Sequence, residues 1–486
     1  MKTTLDLTAI AAVTLCLASP ALAQKPITKP PVASILTWTQ KQQLERYPAI
    51  EKVYEVATIK KGDKVRELPL AATQIDPKIK VGAKTSTLDT FMTNNRVTGV
   101  IAIKDGNIVL EKYALGRKPT DRWTSFSVAK SVTATLIGAA VKDGYITSIY
   151  DPVTKYLPEL EGSAFDGVSL RRLMTMTTGV KWNEDYANPK SDVALAGFAP
   201  WTGGVNPLVG YMSKLKREAA PGTKWVYKTG ETDLAGLALG RALAGKGLAQ
   251  YASEKLWAPF GMEQDAIWMV DKAGQERGGC CMSMTLRDYA RIGLFMLGGG
   301  VIDGKKILPD GWVEDATANH VPKAQADKGA AYGYFWWPME DGYRAVGIFG
   351  QGIYVFPEEN LVIAVNSAMV KASDRAQSQK TQAFIGAIRT ERDLLESILF
   401  PSNTLARDYE AHIIETGNGQ QTLGVIKSHT AEGLLVIDIA GQEKNIPHQQ
   451  ITGDTTLSTS LMPMGLDQTM PEAELLDLVA WLRSLK

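Results

Sequence analysis

Ser127-Val128-Ala129-Lys130 is the segment of this chain best equipped for covalent chemistry. On a helix, residues three apart share a face, so the Lys130 amine reaches the Ser127 hydroxyl and can take its proton. A serine needs such a base to become a nucleophile, and a lysine serves once burial and neighbouring cations depress its pKa towards neutrality. The same spacing recurs at Ser213-Lys214-Leu215-Lys216, and context separates the two. Ser127 opens a run of small apolar residues, where a lysine is costly without a function, whereas Lys214 and Lys216 sit in a charged, surface-like stretch. The bland reading of Ser127 and Lys130 is a solvated lysine near a capping serine. A second candidate is Tyr227 in Trp225-Val226-Tyr227-Lys228-Thr229, preceded by Pro221-Gly222. A tyrosine on such a loop can share protons with a lysine and protonate a leaving group; the competing reading is a core aromatic. The third is Gly347-Ile348-Phe349-Gly350-Gln351-Gly352. Glycines in a β-branched run let a ligand or another backbone approach, and N–H groups there can form half of an oxyanion hole, unless the run is only a bulge or hairpin.

The surrounding pattern supplies elements to hold these groups. Two β-rich runs over 97–113 flank Asp105-Gly106-Asn107, a hairpin signal. Small apolar residues from 127 to 143, closing at Gly144, predict a helix buried on most sides. Helices and loops follow to about residue 320, including a helical period over 286–297, and strands return over 332–367. Strands at both ends with helices between predict an α/β (α+β) domain whose antiparallel sheet is closed by distant parts of the chain. The partition expected is a leader over 1–23, a wrapping segment over 24–85, the catalytic domain over 86–385, and a C-terminal module over 390–486. The polar stretch 373–382 marks the boundary, an amphipathic helix runs over 390–399, strand-like alternation covers 410–452, and a last helix spans 472–485. Each unit is expected to own its core.

Composition narrows the function classes. Lys+Arg 53 against Asp+Glu 52 leaves a net charge of +1, without the cationic excess a nucleic-acid binder uses against phosphates. Four histidines and three cysteines offer no metal-ligand spacing, so neither a metal nor a cofactor is expected. Three of the histidines, His412, His429 and His448, lie beyond residue 400, so a base in the catalytic domain is something else. Residues 1–23 carry Lys2, an apolar stretch over 7–18 and Ala21-Leu22-Ala23, which reads as a secretory signal with cleavage after Ala23. Export to the periplasm or outside the cell is the expectation, with no integral membrane segment left after cleavage. The mature chain keeps Cys280 and Cys281, adjacent and therefore expected not to bridge.

Together, Ser127-x-x-Lys130, Tyr227-x-Thr229 a hundred residues on, and the Gly-rich strand near the domain's end resemble the penicillin-recognising serine hydrolases, in their class C β-lactamase-like branch. Leu170-Arg171-Arg172-Leu173-Met174 and Thr285-Leu286-Arg287-Asp288-Tyr289 are further landmarks. Within that branch, Trp182-Asn183-Glu184-Asp185-Tyr186 followed by Pro189-Lys190-Ser191-Asp192 is most similar to the nylon-oligomer (6-aminohexanoate-dimer) hydrolases. The resemblance covers residues 35–370. It implies that Ser127 is acylated, Lys130 is the base, Tyr227 shuttles the proton and Tyr186 contacts substrate. It implies an oxyanion hole of the Ser127 N–H with one from the Gly-rich strand, at Gln351, and substrate contacts at Thr229, Gly350 and Gly352.

Two motifs depart from the family. Thr229 stands where an asparagine is usual, and Ile348-Phe349-Gly350 replaces Lys-Thr-Gly or His-x-Gly, so the cation that would grip a β-lactam carboxylate is absent there. The expectation is a serine hydrolase acting on a small ester or linear amide, with loops around Tyr186, Trp201, Trp336 and Trp337 lining an apolar or amphipathic pocket. Alternatives are β-lactamase or D-Ala-D-Ala peptidase-like activity, or a silent cell-envelope binding protein. The C-terminal module resembles the second half of a haem-binding cytochrome c-type domain, through Leu394-Leu395-Glu396-Ser397-Ile398-Leu399, Tyr409, Ser460-Leu461-Met462-Pro463 and the last helix. In that family the methionine of Met-Pro ligates iron. The chain has no Cys-x-x-Cys-His, so the resemblance implies a truncated appendage without haem at Met462 and names no partner for it.

Overall fold

The computed structural model describes residues 34–484, apart from 198, 202, 374, 400, 403–408, 431, 463–464 and 466–468. The leader expected over 1–23 lies outside the described residues. In chain order come a strand, Val56–Ile59 (β1), a helix, Leu88–Asn95 (α1), and the expected hairpin, Val97–Lys104 (β2) and Asn107–Tyr113 (β3). Asp105 and Gly106 turn it with φ of 50° and 80°, the left-handed pair that matches the twist of antiparallel strands. Trp123–Thr124 (β4) leads into the helix Val128–Lys142 (α2), and Thr229–Ala242 (α3) follows much later. Then come Ala266–Met269 (β5), Met282–Met284 (β6), Leu286–Leu297 (α4), Trp337–Met339 (β7), Gly342–Gly347 (β8), Gln351–Phe356 (β9) and Leu361–Ser367 (β10).

Six strands form one antiparallel sheet in the order β7-β8-β9-β10-β2-β3. The early hairpin joins the late strands through β10 and β2, in register from Leu361 against Lys104 to Asn366 against Gly99. That pairing brings residues some 260 apart in sequence side by side. Alternation along β9 gives each face of the sheet its own core. Ile353 and Val355 pack with α2 and α4, while Tyr354 and Phe356 pack with Phe91 and Met92 of α1 and with the helix Arg375–Leu399 (α5). A second sheet, ordered β1-β5-β6-β4, sits beside the first and carries the entry to α2. That helix is buried along nearly its whole length because its residues are small, and the Trp312 ring lies where a side chain on Gly138 would be.

The polar stretch 373–382 is not a boundary. Helix α5 begins at Arg375 and runs for 25 residues, placing Phe384, Ile385 and Ile388 against the sheet. The composition shift reflects a first few turns that face solvent and a groove. Beyond it, five strands, Ala411–Thr416 (β11), Gln421–His429 (β12), Gly433–Asp438 (β13), Glu443–Pro447 (β14) and Ile451–Leu457 (β15), form an antiparallel sheet ordered β14-β13-β12-β11-β15. This sheet owns a small core of Ile414, Leu434, Val436 and Ile446. The closing helix Glu472–Ser484 (α6) does not belong to it: Leu475 and Val479 are buried in the cluster that contains Ile398, Phe384 and the β9 face of the catalytic domain. The expectation of separate cores therefore holds for the small sheet and fails for the last helix. No helix among the described residues is long and apolar enough to cross a membrane.

Candidate active site

The serine sits at a strained entry to α2. The Ser125 N–H donates to the Met282 carbonyl at 2.7 Å, and the Met282 N–H donates back to Ser125 Oγ at 3.1 Å, tying this segment to β6. Phe126 is held at φ 44°, a conformation costly for an aromatic residue and sustained only by its surroundings. Its ring is clamped between those of Tyr47 and Phe349, each 5.2 Å away. The wrapping segment thus buttresses the residue before Ser127. Ser127 occupies the cap position of α2, yet its side chain makes no capping bond and remains free for chemistry.

Lys130 is 1% exposed and three residues on, as the helical spacing predicts. Its Nζ lies 3.0 Å from Ser127 Oγ, 3.1 Å from Thr229 Oγ1 and 2.6 Å from the Gly279 carbonyl. Burial pushes the amine down to about 8, against Glu184 and Asp233, whose charges favour the protonated form. Lys214 and Lys216, with the same motif spacing, are exposed. Thr229 opens α3, and its hydroxyl also donates to Glu184. Tyr227 lines the same groove as Ser127, and Lys130 Nζ lies 5.3 Å from the centre of its ring. Burial, reinforced by the Glu184 charge, holds the Tyr227 phenol well above its usual range, so it is a proton donor at any ordinary pH. The set can therefore activate a hydroxyl, accept its proton on a neutral amine and deliver one from a phenol.

Glu184, within the Trp182–Tyr186 segment, is a site residue that the sequence pattern does not single out. Its carboxylate accepts the Tyr186 hydroxyl at 2.8 Å, the Thr229 N–H at 2.9 Å, the Thr229 hydroxyl and the Trp182 indole. One carboxylate so ties the Trp182–Tyr186 segment to the start of α3. No periodicity or spacing marks it out, because its partners come from 2 and 45 residues away.

The Gly-rich turn meets the serine from the other side. A side chain on Gly347 would lie 2.4 Å from the Ser125 carbonyl, so only glycine lets β8 approach this closely. Ser127 and Ile348 both line the groove, and among the described residues neither N–H has a hydrogen-bond acceptor. Gln351 also lines it, but it is paired with Gly347 in the ladder, and its side-chain amide donates to the Ile348, Phe349 and Ser367 carbonyls. Gly350 lines the groove beneath Met369. Gly352 does not: the Tyr354 ring occupies the space above it, so this glycine seats a side chain rather than a substrate. Tyr186 and Trp337 line the groove, while Trp336 is wholly buried against Tyr343 and Trp201 lies outside the lining. The groove, about 530 Å³, runs from Ser127 between the β8–β9 edge and α5. Cys280 and Cys281, expected to stay apart, are joined in a disulfide beside Gly279, where a left-handed turn at Cys281, φ 70°, brings the two side chains together. Among the described residues no cluster of three potential metal ligands occurs.

With this geometry in place, residues 85–387 match the family described as Beta-lactamase, which is more than half of the chain. The chain belongs to the β-lactamase family. It is 30% identical over 311 residues to the 6-aminohexanoate-dimer hydrolase of Paenarthrobacter ureafaciens, covering 60% of this chain and 78% of that protein. A β-lactamase of Pseudomonas fluorescens is 30% identical over 163 residues, covering 31% of this chain and 41% of that one. Among solved structures, a Bacillus anthracis protein provisionally assigned as a 6-aminohexanoate-dimer hydrolase aligns with a TM-score of 0.64 at 23% identity, over 75% of this chain and 99% of that one. At that identity the likeness speaks for the fold. This β-lactamase-family protein is a serine hydrolase, and the mixed α/β architecture expected from its sequence is the one observed.

Proposed function

We propose that this hydrolase cleaves a small ester or linear amide through an acyl-enzyme on Ser127. The observation that carries the reading is the buried Lys130 amine 3.0 Å from Ser127 Oγ, with burial lowering its pKa to about 8. In this mechanism Ser127 Oγ attacks the substrate carbonyl as Lys130 accepts its proton, and Tyr227 protonates the leaving group. The oxyanion is held by the Ser127 N–H together with the Ile348 N–H, rather than that of Gln351, because the former two are without acceptors among the described residues. Water then hydrolyses the ester to Ser127, regenerating the serine. Thr229 acts as a link between Lys130 and Glu184 in place of a substrate contact, and Tyr186 contacts substrate beside it. The relative named for a linear amide dimer favours esters and linear amides over β-lactams. The signal-like pattern of residues 1–23 supports export, and the segment containing Met462 is an appendage without a redox role.

Turnover of short-chain 4-nitrophenyl esters by the purified chain, with a fluorophosphonate adduct located on Ser127 by mass, is the deciding experiment. Loss of both in Ser127→Ala is expected. No adduct on the intact protein would instead support a silent binding protein, and a chromogenic cephalosporin turned over faster than every ester would favour the β-lactamase alternative.

A further inference from the structure

The groove that begins at Ser127 extends well past the reacting atoms, and its charges are unequally paired. Arg389, on α5, stacks 4.0 Å over the Phe356 ring, lies 2.6 Å from Asp341 and also pairs with Glu359. Glu184, at the serine end, is saturated by its own hydrogen bonds. Arg344 differs from both. It lines the same groove, half-buried, and among the described residues it has no ion-pair or hydrogen-bond partner. Its Nε is shut off from solvent and has no acceptor among the described residues. A guanidinium that lines the groove of the serine without a counter-ion is expensive to keep partly buried, and it leaves a place for an anion further along that groove.

Strand pairing shows where that place is. Arg344 is opposite Trp337 on one side and Tyr354 on the other, and directly opposed residues of antiparallel strands share a face. The Trp337 ring stacks on Tyr227, 5.6 Å away at 24°. The face that carries Arg344 is therefore continuous with the proton donor of the site. Gly347, which touches the Ser127 segment, is three residues further along the strand, roughly 10 Å at the usual strand rise. Arg344 is thus far from the Ile348–Gly350 turn, and the spacer between it and the reacting carbonyl runs over Val346, Met369 and Tyr354, a largely apolar floor.

We propose that Arg344 is a specificity residue selecting substrates with a carboxylate at the end of a linear apolar spacer, held bidentately by its guanidinium. This rests on the hydrolase reading above and narrows it to one substrate class, anionic linear esters or amides. The guanidinium fork suits a carboxylate, which would supply the counter-ion that Arg344 lacks among the described residues.

Two matched pairs test it on the full chain. 4-Nitrophenyl hydrogen adipate and its methyl ester differ only in charge on the acyl side; N-hexanoyl-6-aminohexanoate and its methyl ester differ only in charge on the leaving side. In at least one pair the anion should be favoured in kcat/KM by about tenfold or more, mainly through KM, as expected of a charge-assisted contact. Arg344→Gln should bring that ratio near one, Arg344→Lys should restore part of it, and added salt should weaken it in the wild type. Equal kcat/KM within both pairs, or a preference unchanged in Arg344→Gln, overturns the inference and leaves the hydrolase reading standing. If no substrate is turned over, binding of adipate to Ser127→Ala, followed by tryptophan fluorescence, decides independently. Binding lost on adding Arg344→Gln supports the anion site, and no binding, or binding indifferent to Arg344, rejects it.

Discussion

The Asp233 carboxylate accepts the Gly279 N–H at 2.7 Å, and the carbonyl of the same glycine takes the Lys130 amine at 2.6 Å. Helix α3 thereby positions the base of another helix through a single glycine residue. Arg277, 3.1 Å from the same carboxylate, steadies the arrangement. Asp233→Ala removes the tether without touching Ser127 or Tyr227. The expected result is a drop in kcat of roughly 10–100-fold with KM little changed, the pattern of a displaced catalytic group.

Protonation of Lys130 sets the pH profile. The amine must be neutral to accept a proton, and its pKa is lowered to about 8, so the active fraction grows with pH up to that value. Log kcat/KM for a neutral ester should therefore rise with unit slope below about 8 and level off above it. Lys130→Arg, cationic at every accessible pH, should lose about 10³-fold or more in acylation. A wild-type rate flat from pH 6 to 9 would remove Lys130 from the role of base.

Glu184 pulls the other way. Its charge favours protonated Lys130, so removing the charge lets desolvation act with less opposition. In Glu184→Gln the midpoint of the pH profile should move to lower pH. A midpoint that stays in place or rises would show that the carboxylate does not act on Lys130 through its charge.

Close packing at the turn predicts a steric result. In Gly347→Ala the new methyl would meet the Ser125 carbonyl, which is itself bonded into the segment before the serine. The strand must withdraw or the serine must shift, so esterase activity should fall by about 10²-fold or more, with a stability loss of about 1–3 kcal/mol typical of overpacking. Thermal unfolding and burst kinetics separate the two effects.

Truncation tests how the C-terminal part is attached. Ending the chain after Leu399 keeps α5, the groove wall, but uncovers the surface that Leu475 and Val479 bury. Activity should persist with a lowered Tm, since each such side chain is worth about 1.5–3 kcal/mol when fully buried. Ending it at residue 372 removes Phe384, Ile385 and Ile388 from the sheet, and the protein should not fold into an active form.

How the sequence related to the structure differs from element to element. The hairpin at Asp105-Gly106, the buried helix after Ser127 and the face shared by Ser127 and Lys130 follow from local rules, the turn residues and the 3.6-residue period, and the structure has all three. The 373–382 stretch has the composition of a linker and the structure of a helix, because polar residues facing a groove look like polar residues in a linker. The last helix packs on the catalytic domain's core and not on that of the small sheet, since amphipathicity declares that a face must be covered and is silent on what covers it.

Residue types and helical period by themselves determined the chemistry on offer: a serine with a lysine one turn away, too few histidines for the common alternative, and a glycine-rich strand able to approach them. Only the tertiary structure decided what makes that chemistry work. The depth that lowers the Lys130 pKa, the Glu184 carboxylate tying Tyr186 to Thr229, the Gly279 N–H held by Asp233 while its carbonyl takes Lys130, and Arg344 left without a partner among the described residues of the groove all depend on segments from 45 to more than 200 residues apart being pressed together. Desolvation and charge pairing are properties of that enclosure, and a linear pattern of residues carries neither.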